Sequence, residues 1–225
     1  MPFDRVVVDA AMVGPQQELI ELVADAGAEL ILDTNVAELS APGRFGGVAR
    51  GAPWANPRSI LTPDDMRPNA NRDVIGQIAR FAVQHGFHSV LAPTHLLEGY
   101  PDQLFDVDRK ATAALRRALD AEGGSAIRIN FFLNITYASL RDPAQRRAFI
   151  AGLADVPFAD LWFRISGFGA DATPMGLRRY IGAMMDFFRL ERPIVADGVG
   201  GLAGVAIAAF GAAGGICHGV AERAV

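Results

Sequence analysis

A chain of 225 residues with one cysteine, one lysine and four histidines has few of the side chains that do versatile chemistry. The lone cysteine, Cys217, excludes an internal disulfide framework, and a reducing cytoplasm is the expected setting. It falls in an apolar run and reads as packing rather than as a nucleophile. The lone lysine, Lys110, lies within a helical pattern and not at a strand end, which argues against Schiff-base and pyridoxal phosphate chemistry. There is no H-x-H after the first strand and no H-E-x-x-H, so a hydrolytic zinc centre lacks its usual ligands. No run of 18 uncharged apolar residues is present, and the amino terminus has no signal-peptide pattern, so neither a membrane span nor export is expected. A net charge of −4, with both signs interspersed, leaves no basic stripe for nucleic acid.

What the chain does have is a repeating order of strand, loop and helix. Short β-branched or apolar runs occur at 5–9 (RVVVD), 29–33 (ELILD), 88–93 (HSVLAP), 127–133 (IRINFFL), 160–166 (DLWFRIS), 193–197 (PIVAD) and 214–218. Between them lie helical patterns, several opened by a cap and a proline: Gly14-Pro15, Asp142-Pro143 and Thr173-Pro174. Repeated βα units imply a parallel sheet. The expected fold is therefore α/β. The leading architecture is a (β/α)8 TIM-type barrel, incomplete or atypically closed, in one domain spanning 1–225. The alternative is a doubly wound parallel sheet, although the first strand leads into AAMVGPQQ rather than G-x-G-x-x-G. After the last strand too few residues follow for a usual eighth helix. Residues 36–68 are rich in Gly, Pro and Arg without a clear period. They are expected to form a mobile loop, a candidate lid with Arg44, Trp54 and Arg58 facing the ligand.

The stretch 192–219, RPIVADGVGGLAGVAIAAFGAAGGICHG, places glycines after one strand and around the next. Backbone N–H groups at such a turn can point at an anion, and glycine lets the chain approach it. Barrels often bind phosphate on the loops after their last two strands. Gly198, Gly200, Gly201 and Gly219 are thus candidate phosphate ligands. Gly204, in the helix body, is expected to tolerate alanine. The alternative is that all these glycines serve helix-to-strand packing.

This stretch of about 28 residues resembles the closing units of FMN- and phosphate-binding barrels such as inosine monophosphate dehydrogenase and nitronate monooxygenase, on Pro193-Ile194-Val195-Ala196-Asp197-Gly198, then Gly211-Ala212 and Gly219. The resemblance implies phosphate handling in a barrel, and Asp197 would match an aspartate that grips ribose hydroxyls. It departs in the extra Val199 that splits the glycines.

Strand periodicity puts Arg128, Asn130 and Phe132 on one face and Trp162, Arg164 and Ser166 on another. An arginine in mid-strand needs an acid or an anionic ligand. The acids considered are Asp9, Asp33 and Asp160. Asp33-Thr34-Asn35 and His95 end strands, where barrel active sites take their residues, and His218 ends the last. The candidate catalytic residues are therefore Asp33, His95 and Asp197. The candidate ligand-binding residues are Arg128, Asn130, Arg164, Ser166, Gly198, Gly200, Gly201, His218 and Gly219. A magnesium ion among Asp9, Asp33 and His95 is compatible with the composition, as is FMN. His85 and His88 read as structural. The leading expectation is an enzyme doing acid/base chemistry on a phosphorylated small molecule. The alternatives are an FMN-dependent oxidoreductase and a catalytically silent barrel used for binding or assembly, with a homo-oligomer compatible with each.

Overall fold

The computed structural model describes residues 4–42, 48–67, 70–169 and 171–218. The chain divides into two compact units: Met1–His95 with Gln103–Phe131, and Leu96–Asp102 with Phe132–Val225. Both are built from parallel strands and helices.

In the first unit, β1 (Arg5–Asp9), β2 (Glu29–Asp33) and β3 (Ser89–Leu91) pair in that order, and β3 pairs with the start of β5 (Arg128–Thr136), all parallel. The sequence explains these elements locally. The three valines of β1 favour extended backbone. Helix α1 (Gln17–Asp25) stops at Gly27, whose φ of +81° suits glycine. Helix α3 (Val74–Gln84) begins where Asp73 accepts a hydrogen bond from the Gly76 N–H at 3.2 Å. Ile31, Leu32, Val74, Ile78, Val90 and Leu115 fill the core.

In the second unit, β4 (Leu96–Leu97) pairs with the end of β5. Beyond β5 the sheet continues through β6 (Leu161–Ser166), β7 (Ile194–Asp197) and β8 (Gly215–Cys217). Helices α6 (Pro143–Leu153) and α7 (Pro174–Met184) open on Asp142 and Thr173, each capping side chain followed by proline. Phe163 meets Phe187 edge to face at 4.6 Å in a core that also holds Phe149, Leu161, Tyr180 and Ile207. All seven expected strands are present, within a residue or three of the expected ends. The two-residue β4 and the short helices α2 (Val36–Ser40) and α5 (Tyr137–Arg141) are additions.

The described part of 36–68 is more structured than its composition suggests. Helix α2 and 3₁₀ turns at Val48–Gly51 and Pro63–Met66 interrupt it. The Leu61 N–H donates to the Leu39 carbonyl at 2.8 Å. The turn 48–51 packs on the 3₁₀ turn Ala10–Met12 after β1, so closely that a Cβ on Gly51 would lie 3.1 Å from the Ala11 Cβ. Trp54 is fully buried. Its indole N–H donates to the Thr34 carbonyl at 2.8 Å and its ring meets Phe81 edge to face at 5.6 Å. The expectation that Trp54 faces a ligand is therefore corrected: it anchors the segment. Arg44 lies outside the described residues.

At the amino-terminal end of the first unit's strands, Glu29 is held by Arg5 at 3.2 Å, by Arg128 and by the Ser89 hydroxyl at 2.9 Å. Burial pushes the Glu29 carboxyl up, but Arg128, Ser89 and Arg5 outweigh it, and the net shift is below its ordinary 4.5. A depressed folded-state value gives stability that is fully present above the unfolded-state value and is lost as pH falls through the folded one. Urea midpoints measured from neutral pH down through 4.5 should therefore drop more steeply for wild type than for Glu29→Gln. Parallel curves would mean that the contacts at Glu29 do not favour its charged form.

Candidate functional site

Of the side chains expected to carry chemistry, Asp33, Ser166 and Asp197 end their strands and His95 and His218 follow theirs, the end from which βα proteins build their sites. In the first unit Asp9 and Asp33 close β1 and β2 and stand in register, so both side chains are on the same face. Asn35 ties them together. Its backbone N–H donates to Asp33 Oδ1 at 2.8 Å, and its side-chain amide donates to Asp9 Oδ1 at 3.2 Å. Asn35 holds this position in the left-handed region, at φ +53°, which asparagine tolerates better than most residues.

His95 lies past the end of β3 and is 4% exposed. Asp108 of α4 (Gln103–Ala121), 1% exposed, grips it twice. One carboxylate oxygen accepts from the His95 backbone N–H at 3.1 Å, and the other lies 2.6 Å from ring Nδ1. Asp108 thus fixes the tilt of the ring and assigns Nδ1–H as the donor. Nε2 is left buried without a hydrogen-bond partner. The sequence reading singled out His95 but not Asp108. The available signal was position: Phe105, Asp108, Thr112, Leu115 and Leu119 form one buried stripe at helical spacing, and Asp108 is its acid.

Asn130 is 1% exposed, paired in register with Leu91. Its amide donates to the Ser89 hydroxyl at 3.2 Å, and that hydroxyl donates onward to Glu29. Arg128 does not join the carboxyl-end groups. It pairs with Glu29 at the opposite end, beside an open groove of about 550 Å³ among Asp4, Gly27, Glu29 and His88. The acid expected for Arg128 was Asp9, Asp33 or Asp160, so the partner is corrected to Glu29. It could not be read from the strand's own face pattern because the pair crosses β3.

In the second unit Arg164 and Asp197 stand in register on β6 and β7, with Arg164 Nε 2.7 Å from Asp197 Oδ2. The guanidinium lies over the Phe132 ring at 4.7 Å. Here the acid found, Asp197, is not one of the three expected: its strand is next to β6, and it stands opposite Arg164. Tyr180 is buried and stacked on Phe168 at 4.5 Å. Burial, then the nearby Asp197 charge, pushes its phenol well above the usual range. Ser166 and His218 are exposed at the ends of β6 and β8.

The glycines after β7 are not equivalent. Gly198, φ +73°, and Gly201, φ +58°, hold left-handed turns into α8 (Gly201–Ala209), with open space where a Cβ would stand. Gly200 is extended, and a Cβ there would make ordinary contact with His218 at 3.7 Å. Gly204 is different: a Cβ would fall 2.9 Å from the Val199 carbonyl oxygen and 3.3 Å from Ile216 Cγ2. The expectation that Gly204 tolerates alanine is overturned, because helix and strand approach closely at that position. Gly204→Ala should destabilise the protein by about 1–3 kcal/mol, the scale of overpacked sites, and so lower its urea midpoint clearly. Gly200→Ala should cost a few tenths at most. Equal midpoints for the two would contradict the close approach. Gly219 lies outside the described residues.

Among the described residues no three His, Cys, Asp or Glu side chains are grouped to hold a metal ion, so Asp9, Asp33 and His95 do not form a ready-made centre. No helix among them is long and apolar enough to cross a membrane. No protein-family model matches the chain, and no curated protein matches it in sequence.

Proposed function

We propose that the chain is an enzyme that moves a proton on a small-molecule ligand, in a barrel-type (β/α) frame. His95 is the proton carrier, Asp108 is its positioning residue and Asp33 is a second acid/base group. One observation carries the reading. A buried imidazole has Nδ1 and its own backbone fixed by a buried carboxylate, while Nε2 has no partner. Most buried side-chain polar atoms are paired, whereas a general acid or base needs one nitrogen oriented and the other available. The sequential strand order supports the barrel frame, since a doubly wound sheet reverses its order at a switch point.

The test is exchange of substrate protons. Pools of small phosphorylated and unphosphorylated metabolites are incubated with protein in deuterated water, and compounds that gain mass are identified. With the responsive compound in hand, His95→Gln should lower turnover by about 100-fold or more, the scale of a lost general acid or base. Asp33→Asn should lower it by a smaller factor. Equal turnover for wild type and His95→Gln defeats the proposal.

A second reading rests on the turn between β7 and α8. Two left-handed glycines lead into the first turn of a nine-residue helix. The N–H groups of such a turn have no partner within the helix and attract anions. The ligand would be a phosphate, either of a small metabolite or of FMN. A yellow purified protein, or one that turns yellow with added FMN, favours the flavin. Inorganic phosphate shifting the amides of Gly200–Leu202 favours a phosphorylated metabolite, and no anion affecting them removes the reading.

A further inference from the structure

We infer that the strand ends of the first unit recognise a ligand through its hydrogen-bond donors, so that the recognised group is a polyhydroxylated or protonated amine group and not a phosphate. This rests on the reading of that end as a ligand site.

Asn35, 3% exposed, points its amide N–H at the Asp9 carboxylate, which only accepts. Its Oδ1 is therefore the atom turned away from Asp9, and it is buried with no partner. The orientation of Asn130 is fixed the same way at one remove. The Ser89 hydroxyl must give its single proton to the Glu29 carboxylate, so it accepts from the Asn130 amide. That leaves Asn130 Oδ1 buried and unpartnered. His95 faces the Asp108 carboxylate with Nδ1, which in the neutral ring leaves Nε2 as an acceptor, also buried and unpartnered.

Three side chains, after β2, after β3 and on β5, thus each face a carboxylate or a carboxylate-bound hydroxyl with their donor. Each keeps an acceptor without a partner. These are consecutive strands of the sheet. Two further carboxylates, Asp9 and Asp33, stand in register at the same end. A buried acceptor without a donor is costly, and one at each of three neighbouring strands calls for a role. A phosphate brought here would meet acceptor atoms with no proton to give it. A cluster of hydroxyls, or an ammonium group, would satisfy the acceptors.

The experiment is an amide ¹H–¹⁵N titration of the full chain with three probes: myo-inositol, 1,3-diaminopropane and inorganic phosphate. The expected result is a saturable shift of the Asp33–Asn35 and His95 amides with myo-inositol or with the diamine. The first would identify a polyol and the second an amine. Phosphate should leave these amides unmoved. Asn35→Gly keeps the left-handed backbone and removes only the side chain. It should weaken the responding probe at least tenfold while the rest of the spectrum stays native. The inference is overturned if phosphate alone moves these amides, if no probe moves them, or if Asn35→Gly binds like wild type. Failure here is separable from failure of the proton-transfer reading, which stands or falls on His95→Gln turnover.

Discussion

Asp108→Ala should destabilise the protein by about 2–5 kcal/mol, the scale of leaving two buried donors without their charged acceptor. The carboxylate is 1% exposed and accepts from the His95 ring and the His95 backbone. Alanine leaves both donors buried and unpartnered, and it opens a small cavity on the buried stripe of α4. Asp108→Asn is the informative companion. Its side-chain oxygen can still accept one of the two hydrogen bonds, so the loss should be smaller, but the ring is no longer held by a charge. Urea denaturation of the three proteins measures the series. A loss below about 1 kcal/mol for the alanine variant would place Asp108 among exposed pairs and remove the basis for a fixed imidazole.

The second large effect is expected at Trp54. Truncation of a fully buried tryptophan to alanine costs about 3–5 kcal/mol, and here it also removes the hydrogen bond to Thr34. Trp54→Phe keeps an aromatic ring beside Phe81 but loses the indole N–H and part of the ring volume, for about 1–3 kcal/mol. Hydrogen exchange should show where the loss is felt. Amides of 48–61 should exchange faster in Trp54→Ala, while α3 and the core strands keep their protection. Uniform loss of protection would mean that Trp54 supports the whole unit rather than this segment.

The contrast between what could and could not be read in the sequence has a physical pattern. β1 and β2 were legible because their β-branched and apolar runs are bounded by turn signals. The helices opened by Asp142-Pro143 and Thr173-Pro174 were legible because caps act locally. Strand ends follow from strands, so the positions of Asp9, Asp33, His95 and Asp197 could be read as well. Segment 36–68 was not legible as structure, because its order comes from Trp54 reaching Thr34 and Leu61 reaching Leu39, contacts that no period in the segment encodes. Salt-bridge partners were misassigned for the same reason. Arg128 finds Glu29 and Arg164 finds Asp197 through strand order and register, which a single strand does not carry. Gly204 looked like a helix-body glycine. Only the backbone of Val199 and the side chain of Ile216 show why it has no side chain. Asp108 was the legible residue that was overlooked, since an acid on an apolar helical stripe is visible without a structure.

The central claim, that His95 is a working group and not a packing residue, is tested most directly by its reactivity in the folded protein. Diethyl pyrocarbonate acylates an unprotonated imidazole nitrogen, and peptide mass spectrometry separates the four histidines. The exposed His85 and His218 serve as internal references. The account predicts that native protein is modified at His95, more slowly than at His85 and His218 but far faster than it unfolds globally. A ligand that binds at the strand ends of the first unit should protect His95 alone. If His95 is modified only at the rate of global unfolding, Nε2 is not reached in the native state, and the account is contradicted.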